Sequence, residues 1–153
     1  MSTRESQVHL DIGSRFENID LVQIVMETSL RQLDFDEQTS HRIGLSVREA
    51  VANAIKHGNR QDPDKRVSIE LDVSDEELVI KISDEGEGFD PGKLPDPLSK
   101  ENLLRPNGRG ILFMKSFMDE IDYSFVNNKG MVVTMRKRLA APSADPSQQE
   151  ERD

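Results

Sequence analysis

Two alternating stretches joined by a short polar turn place the strongest constraint on how this chain can fold. Apolar side chains occupy every second position of Val67–Val73, and Leu78–Ser83 repeats the pattern after the turn Ser74–Glu77. Successive side chains of a strand point to opposite faces, so the alternation predicts two strands with one apolar face each. The short turn predicts that they pair as an antiparallel hairpin. The apolar face of such a hairpin must then be buried under a second layer.

Two amphipathic stretches upstream are predicted to supply that layer as helices. The first helix is placed from Glu17 to Leu33 and the second from Glu37 to His57. Their apolar stripes are predicted at Leu21, Ile24, Val25 and Thr28 in the first helix, and at Ile43, Val47, Ala50, Val51 and Ala54 in the second. Asp34 and Asp36 are candidates for a turn and an N-cap between the helices. Gly58 is a candidate for the residue that ends the second helix.

The remaining pattern completes an α+β order. Val8–Ile12 predicts a first strand, Arg109–Asp119 a short helix, and Ile121–Val126 with Met131–Leu139 a second hairpin. A long loop rich in proline and glycine fills residues 84–108, a length that usually accompanies function or disorder. The whole order predicts a two-layer α+β sandwich.

Composition limits the domain organisation and the kinds of partner. The chain has 153 residues, which is enough for one domain, placed at residues 1–139, and residues 140–153 are rich in proline, serine and charge and are predicted to be a disordered tail. A net charge of −9 argues against direct binding of duplex nucleic acid. There is no cysteine, no apolar leader and no apolar stretch long enough to span a membrane, so a cytoplasmic location is expected.

A polar strip on the second helix is the first of three clusters whose side chains could bind a ligand or take part in catalysis. Glu49, Asn53 and His57 follow one another at four-residue spacing, and each step of about 400° leaves the next side chain roughly 40° further round the helix. In a cavity, the carboxylate could accept a proton and the amide oxygen could ligate a hard cation. The alternative is the solvated edge of an ordinary amphipathic helix.

Glycine-rich segments form the other two clusters. Asp84 ends a strand and is followed by Gly86 and Gly88, an arrangement in which the carboxylate could accept a hydrogen bond from an exocyclic amine while the backbone lies close to a flat ligand. The alternative is a simple Asp-Gly turn. Further along, the segment Gly108–Gly110 precedes a helix and could bind phosphate through free N–H groups and the Arg109 charge, or could simply be a flexible connection. The chain contains neither a Walker A loop nor a dinucleotide-binding glycine fingerprint.

Taken in order, the three clusters resemble the boxes of the GHKL superfamily of Bergerat-fold ATPases and kinases. REAVANAIKHGN is similar to the N-box, SDEGEGFDP to the G1-box and NGRGILFMKSFMD to the G2-box. Within the superfamily the chain resembles the short bacterial anti-sigma factor serine/threonine kinases, over roughly Val8–Leu139. The resemblance implies a Bergerat-type sandwich whose mixed, mostly antiparallel sheet is covered on one face by helices.

The resemblance also implies roles for individual residues. Glu49 matches the general base and Asn53 the ligand of a magnesium ion that bridges the phosphates of ATP. The remaining nucleotide-binding residues implied are His57, whose role is open, Asp84 for the adenine amino group, Gly86 and Gly88 beside adenine and ribose, and Gly108, Arg109 and Gly110 over the phosphates. Arg105 and Asn107 lie in the expected lid. With only two glycines in this G2-box, phosphate binding is expected to depend more on Arg109 than in larger GHKL members.

The implied partners are a STAS-type anti-anti-sigma protein with a serine or threonine acceptor and a sigma factor, and a homodimer is implied in the same way. Two other interpretations stay open. A histidine-kinase catalytic fragment would need an upstream helix pair with an acceptor histidine, and only about seven residues precede the first strand. A catalytically silent module would regulate by sequestering a partner, against which the presence of both Glu49 and Asn53 counts.

Overall fold

A computed structural model describes residues 5–87, 117–126 and 130–139 of the chain. Its helices and strands are, in order, β1 Ser6–Gly13, α1 Glu17–Gln32, α2 Glu37–Asn53 continued by a π-helical turn Ala54–Gly58, β2 Arg66–Val73, β3 Glu77–Ser83, β4 Glu120–Val126 and β5 Gly130–Arg138. Among these residues, no helix is both long enough and apolar enough to cross a membrane.

The described strands form one five-stranded sheet in the order β1-β2-β3-β5-β4, and each of its four pairings is antiparallel. Both predicted hairpins are confirmed: Val73 lies opposite Leu78 in the first, and Val126 lies opposite Gly130 in the second. The second hairpin joins the first through β5 rather than β4, so the last of the described strands lies inside the sheet. The sequence predicted the hairpins but not this order.

The sheet has one buried face, as the alternating pattern requires. Every second residue of β2 and β3 is buried, while the residues between them are exposed or half-buried. The helices cover the buried face and share its core. Fully buried large side chains come from both layers: Val22, Met26, Leu30, Ile43 and Ile55 from the helical layer, and Ile69, Leu71, Leu78, Ile80, Ile82 and Met135 from the sheet. The predicted two-layer α+β sandwich is therefore confirmed.

The stripe predicted for α1 is wrong, although the helix itself is confirmed. The buried residues are Ile19, Val22, Met26 and Leu30, whereas Leu21 and Ile24 are 55% and 60% exposed. Apolar residues occur on two faces of this helix, and a helical period alone does not choose between them. The face that is buried carries apolar residues from the first turn to the last, so it covers more of the sheet than the shorter predicted stripe would.

Local signals correctly placed both ends of the second helix. Asp34 has a positive φ of 67° in the turn, and Asp36 caps α2 by accepting a hydrogen bond from the Thr39 N–H at 2.6 Å. The predicted α2 stripe is buried throughout. The helix ends at Gly58 as predicted, but its last turn, Ala54–Gly58, is π-helical rather than α-helical.

Three sequence predictions lie largely or wholly outside the described residues. Of the loop predicted at residues 84–108, only residues 84–87 are described. The short helix predicted at Arg109–Asp119 falls there except for its last three residues, of which Phe117 is helical and Met118 is buried in the core. The predicted tail, residues 140–153, falls there entirely, so the proposed domain boundary stays a prediction.

Candidate functional site

A buried carboxylate lies where β3 ends. Asp84 is only 4% exposed, and its Oδ1 accepts hydrogen bonds from the backbone N–H of Gly86 at 2.9 Å and of Met131 at 3.2 Å. Its own N–H donates to the Met131 carbonyl at 3.0 Å. The carboxylate is thereby fixed between the turn that follows β3 and the start of β5. A rigid acceptor at a strand end is the arrangement that the sequence predicted for recognition of an exocyclic amine.

Two opposing effects act on the pKa of Asp84. Burial raises the pKa of this carboxyl group, because removal from water disfavours its charged form. The N–H groups of Gly86 and Met131, and more weakly the charge of Lys65, act in the other direction. The net result is a pKa above the ordinary value for aspartate. A further hydrogen-bond donor from a ligand would stabilise the charged form of this carboxylate.

Three glycines near Asp84 lie so close to neighbouring atoms that none has room for a side chain. A Cβ at Gly58 would lie 2.1 Å from Asp84 Oδ2, and one at Gly86 would lie 1.9 Å from the Gly58 carbonyl oxygen. A Cβ at Gly130 would lie 2.0 Å from the Asp84 carbonyl oxygen, and φ there is +123°. The π-helical turn, the turn after β3 and the start of β5 therefore meet at backbone distance around Asp84.

Gly86 was expected to let a ligand approach the backbone, and the structure gives it a packing role as well. The sequence pattern marks Gly58 only as the end of a helix and leaves Gly130 between the two strands of the second hairpin, so neither was predicted as a site residue. Each contacts Asp84 or the residue beside it across a large sequence separation. No local pattern signals such a contact, except that a glycine after a polar turn favours positive φ.

The polar strip on α2 divides into two parts. Glu49 is half-buried and Asn53, the last residue of α2, is 9% exposed, and the two are joined by the regular α-helical step. His57 lies in the π-helical turn, whose wider hydrogen-bonding pattern ends the uniform step assumed for the strip. Gly58, which follows His57 directly, packs against Asp84, so the C-terminal end of the strip lies beside this carboxylate. Single-turn π-helices of this kind occur frequently at functional sites.

Burial also shifts the pKa of the two titratable groups on this strip. It raises the pKa of Glu49, with the Arg48 charge opposing, so this carboxylate is a stronger base than an exposed one. It lowers the pKa of His57, and the neighbouring Lys56 lowers it further, which favours the neutral imidazole. A raised carboxylate pKa brings Glu49 closer to the range in which a general base works at neutral pH.

The other half of the predicted site lies outside the described residues. This applies to Gly88, Gly108, Arg109 and Gly110, and to the lid residues Arg105 and Asn107. Their nucleotide-binding roles stay predictions. Among the described residues, no group of three or more histidine or acidic side chains could hold a metal ion by itself. The buried amide of Asn53 is a suitable single oxygen donor for magnesium, which keeps several non-protein ligands.

Comparison with known proteins shows the family to which this chain belongs. A sequence model of the histidine kinase-like ATPase domain matches residues 12–137. The chain therefore belongs to the histidine kinase-like ATPase domain family, which confirms the resemblance to the GHKL superfamily. Within that family it groups with the anti-sigma F factors. The protein of that name from Geobacillus kaustophilus is 35% identical over 144 residues, covering 91% of this chain and 97% of the relative. The one from Clostridium perfringens strain SM101 is 30% identical over 138 residues, covering 88% and 98%.

A solved structure shows the same fold. The RsbU and RsbW domains of a Mycobacterium tuberculosis protein align with 90% of this chain at a TM-score of 0.65 and 16% sequence identity. The chain spans about a third of that longer protein, 34% of its length. The alignment confirms the Bergerat-type sandwich predicted from the sequence.

Proposed function

We propose that this chain is an ATP-dependent protein serine/threonine kinase that acts as an anti-sigma factor. In this proposal it phosphorylates a STAS-type anti-anti-sigma protein and sequesters a sigma factor in the cytoplasm. The observation that carries the proposal is the buried Asp84 carboxylate, held by two backbone N–H groups at a strand end and packed against Gly58. Membership of an ATPase domain family and the names of the relatives support it.

Asp84 would bind the adenine amino group. A carboxylate oxygen accepts a hydrogen bond from this amine, whereas guanine presents a carbonyl oxygen at the same ring position and would face the carboxylate with an acceptor. Because the carboxylate cannot turn away without losing its bonds to Gly86 and Met131, the site would discriminate between the two bases. Binding of guanine would leave the buried carboxylate without a donor, and the cost of that unpaired acceptor would lower the affinity for guanine relative to adenine.

Glu49 would act as the general base. It would take the proton of the acceptor hydroxyl while the hydroxyl oxygen bonds to the γ-phosphorus and ADP leaves. The raised pKa of Glu49 suits this role. Asn53, one helical turn further along α2, would supply a protein oxygen to magnesium. When bound, magnesium would neutralise charge on the phosphates.

Thermal unfolding with ATP and magnesium tests the first half of the proposal. A ligand at 100 times its dissociation constant stabilises a fold by about 2.7 kcal/mol. We expect the wild type to gain stability, and Asp84→Asn and Asn53→Ala to lose most of that gain. The absence of any gain across millimolar ATP would refute nucleotide binding.

Transfer of labelled γ-phosphate to a purified anti-anti-sigma protein from the same organism tests the second half. We expect Glu49→Gln to abolish transfer while ATP and partner binding survive. Equal transfer by Glu49→Gln and wild type would exclude Glu49 as the base. ATP binding without transfer would instead support a silent module that acts by sequestration. The homodimer implied by the resemblance is tested separately, by the mass of the purified chain in solution.

A further inference from the structure

One buried side chain outside the predicted site joins four segments of the fold. Asn59 follows the π-helical turn directly and is 1% exposed. Its Nδ2 donates to Ser14 Oγ at 2.8 Å and to the Arg66 carbonyl at 3.0 Å, and its Oδ1 accepts from the Glu85 N–H at 2.7 Å. These bonds reach the segment after β1, the start of β2 and the turn after β3. Both amide hydrogens and the amide oxygen are therefore engaged.

The position of Asn59 itself is fixed by the helix. Its backbone N–H donates to the Ala54 carbonyl at 2.7 Å, the five-residue bond that defines the π-helical turn. Ala54 follows Asn53, the residue proposed to bind magnesium. The Asn59 side chain consequently extends from the end of the same helical segment that contains Asn53, the residue proposed to lie beside the phosphates.

The bond to Glu85 connects this helix end to the adenine side of the site. Glu85 lies between Asp84 and Gly86, the two residues joined by the bond from the Gly86 N–H to Asp84 Oδ1. The same turn is held from β2, because the Arg66 N–H donates to Glu85 Oε1 at 2.6 Å. Asn59 contacts both Glu85 and Arg66, so it holds the turn from the helix side and the sheet side together.

We propose that Asn59 is a positioning residue that sets the place of the Asp84 carboxylate relative to α2, and that it thereby determines adenine selectivity. The inference rests on the proposed nucleotide-binding function. Only an amide of this length meets all the requirements. Aspartate retains the acceptor for Glu85 but has no donors, and alanine has neither.

Ser14→Ala provides a matched control. Ser14 is 4% exposed, accepts from Asn59 and donates to the Lys65 carbonyl at 2.6 Å. Its loss perturbs the same buried network but leaves the bond between Asn59 and Glu85 in place. Both Ser14→Ala and Asn59→Ala are expected to lower the unfolding temperature, so stability by itself does not distinguish a positioning role from a structural one.

The deciding measurement is the affinity for ATP and for GTP, by calorimetry with magnesium present, on the folded proteins. We expect the wild type to prefer ATP, and Asn59→Ala to bind ATP about tenfold more weakly with a reduced preference over GTP, the effect of losing about one hydrogen bond. Ser14→Ala should keep both the ATP affinity, within about threefold, and the preference.

Amide hydrogen exchange on the nucleotide-free wild type gives a second measurement, which applies even where Asn59→Ala does not fold. The Glu85 N–H is expected to exchange slowly, and faster exchange there than at the exposed turn residue Glu76 would overturn the inference. Equal ATP affinity and equal preference in Asn59→Ala and wild type would also overturn it, with the proposed function intact. Failure of the wild type itself to bind either nucleotide would instead overturn the proposed function and, with it, the selectivity role of Asn59.

Discussion

Replacement of Gly58 by alanine tests how tightly the helix end is packed against the site. The new Cβ would lie 2.1 Å from Asp84 Oδ2, and ordinary contact begins at 3.4 Å, so the two atoms must separate by 3.4 − 2.1 = 1.3 Å. The carboxylate cannot move that far and keep its bonds of 2.9 Å and 3.2 Å to the Gly86 and Met131 N–H groups. Hydrogen bonds to a charged group contribute about 1.5–3 kcal/mol each.

Partial relaxation reduces the expected loss to about 3 kcal/mol, which corresponds to a decrease of about 10 °C in unfolding temperature for a domain of this size. Displacement of Asp84 should also weaken ATP binding by at least about tenfold, the equivalent of one lost hydrogen bond. Thermal unfolding and calorimetric titration measure the two effects on the same sample.

Two control variants separate the local effect from general destabilisation. Gly13→Ala makes the same chemical change where a Cβ meets nothing within 4 Å, so we expect stability and ATP affinity close to wild type. Ile43→Ala removes a fully buried side chain from α2 and should destabilise by about 2–5 kcal/mol without a loss of ATP affinity in the folded protein. Wild-type stability and affinity in Gly58→Ala would refute the packing argument.

Four further predictions concern the helices. Burial raises the pKa of Glu49, so the stability associated with its protonated form is present below the ordinary glutamate pKa and is lost as pH rises through the higher pKa of the folded state. Glu49→Gln should therefore unfold at a higher temperature than wild type at neutral pH. A lower unfolding temperature would contradict this reasoning. Asp36→Ala should lower the unfolding temperature and Asp36→Asn should largely preserve it, since both Asp and Asn cap the Thr39 N–H; equal losses would exclude the cap. Because hydrogen bonds to Thr39 lower the pKa of Asp36, its stabilising effect should disappear as pH falls through that lowered value, in a comparison of wild type with Asp36→Ala. Leu21→Ser and Ile24→Ser should each change the unfolding free energy of the monomer by no more than about 0.5 kcal/mol in chemical denaturation. A loss of stability as large as that caused by a core substitution would show that the stripe predicted from the sequence is buried after all.

The parts of the fold that could be predicted depend on short-range periodicity and capping. The two hairpins follow from a two-residue period with a polar turn, and the α2 stripe follows from three- and four-residue spacings. Asp36 was identifiable because an N-cap contacts a residue only three positions away. The choice of buried face on α1 could not be made in this way, because both faces carry apolar residues and only the sheet beneath decides between them.

The candidate site shows the same division. The pattern after β3 predicted Asp84 as a binding carboxylate, and the order of three glycine- and asparagine-containing boxes predicted the family, which the comparisons confirm. The bond from Met131, the close contacts of Gly58 and Gly130, and the network around Asn59 were not predictable. Each joins segments that only the strand order or the packing of the helices on the sheet brings together.

The sequence by itself determined the secondary structure of both hairpins and α2 and the two-layer α+β class of the fold. It also determined which residues could bind a ligand or take part in catalysis. These are properties of single segments, in which the interacting residues are a few positions apart. Tertiary structure alone decided that β5 enters the sheet beside β3, and therefore that the Met131 N–H meets a carboxylate 47 positions earlier in the chain. Sheet order is set by the combined burial of all strands and helices, and no single segment contains that information.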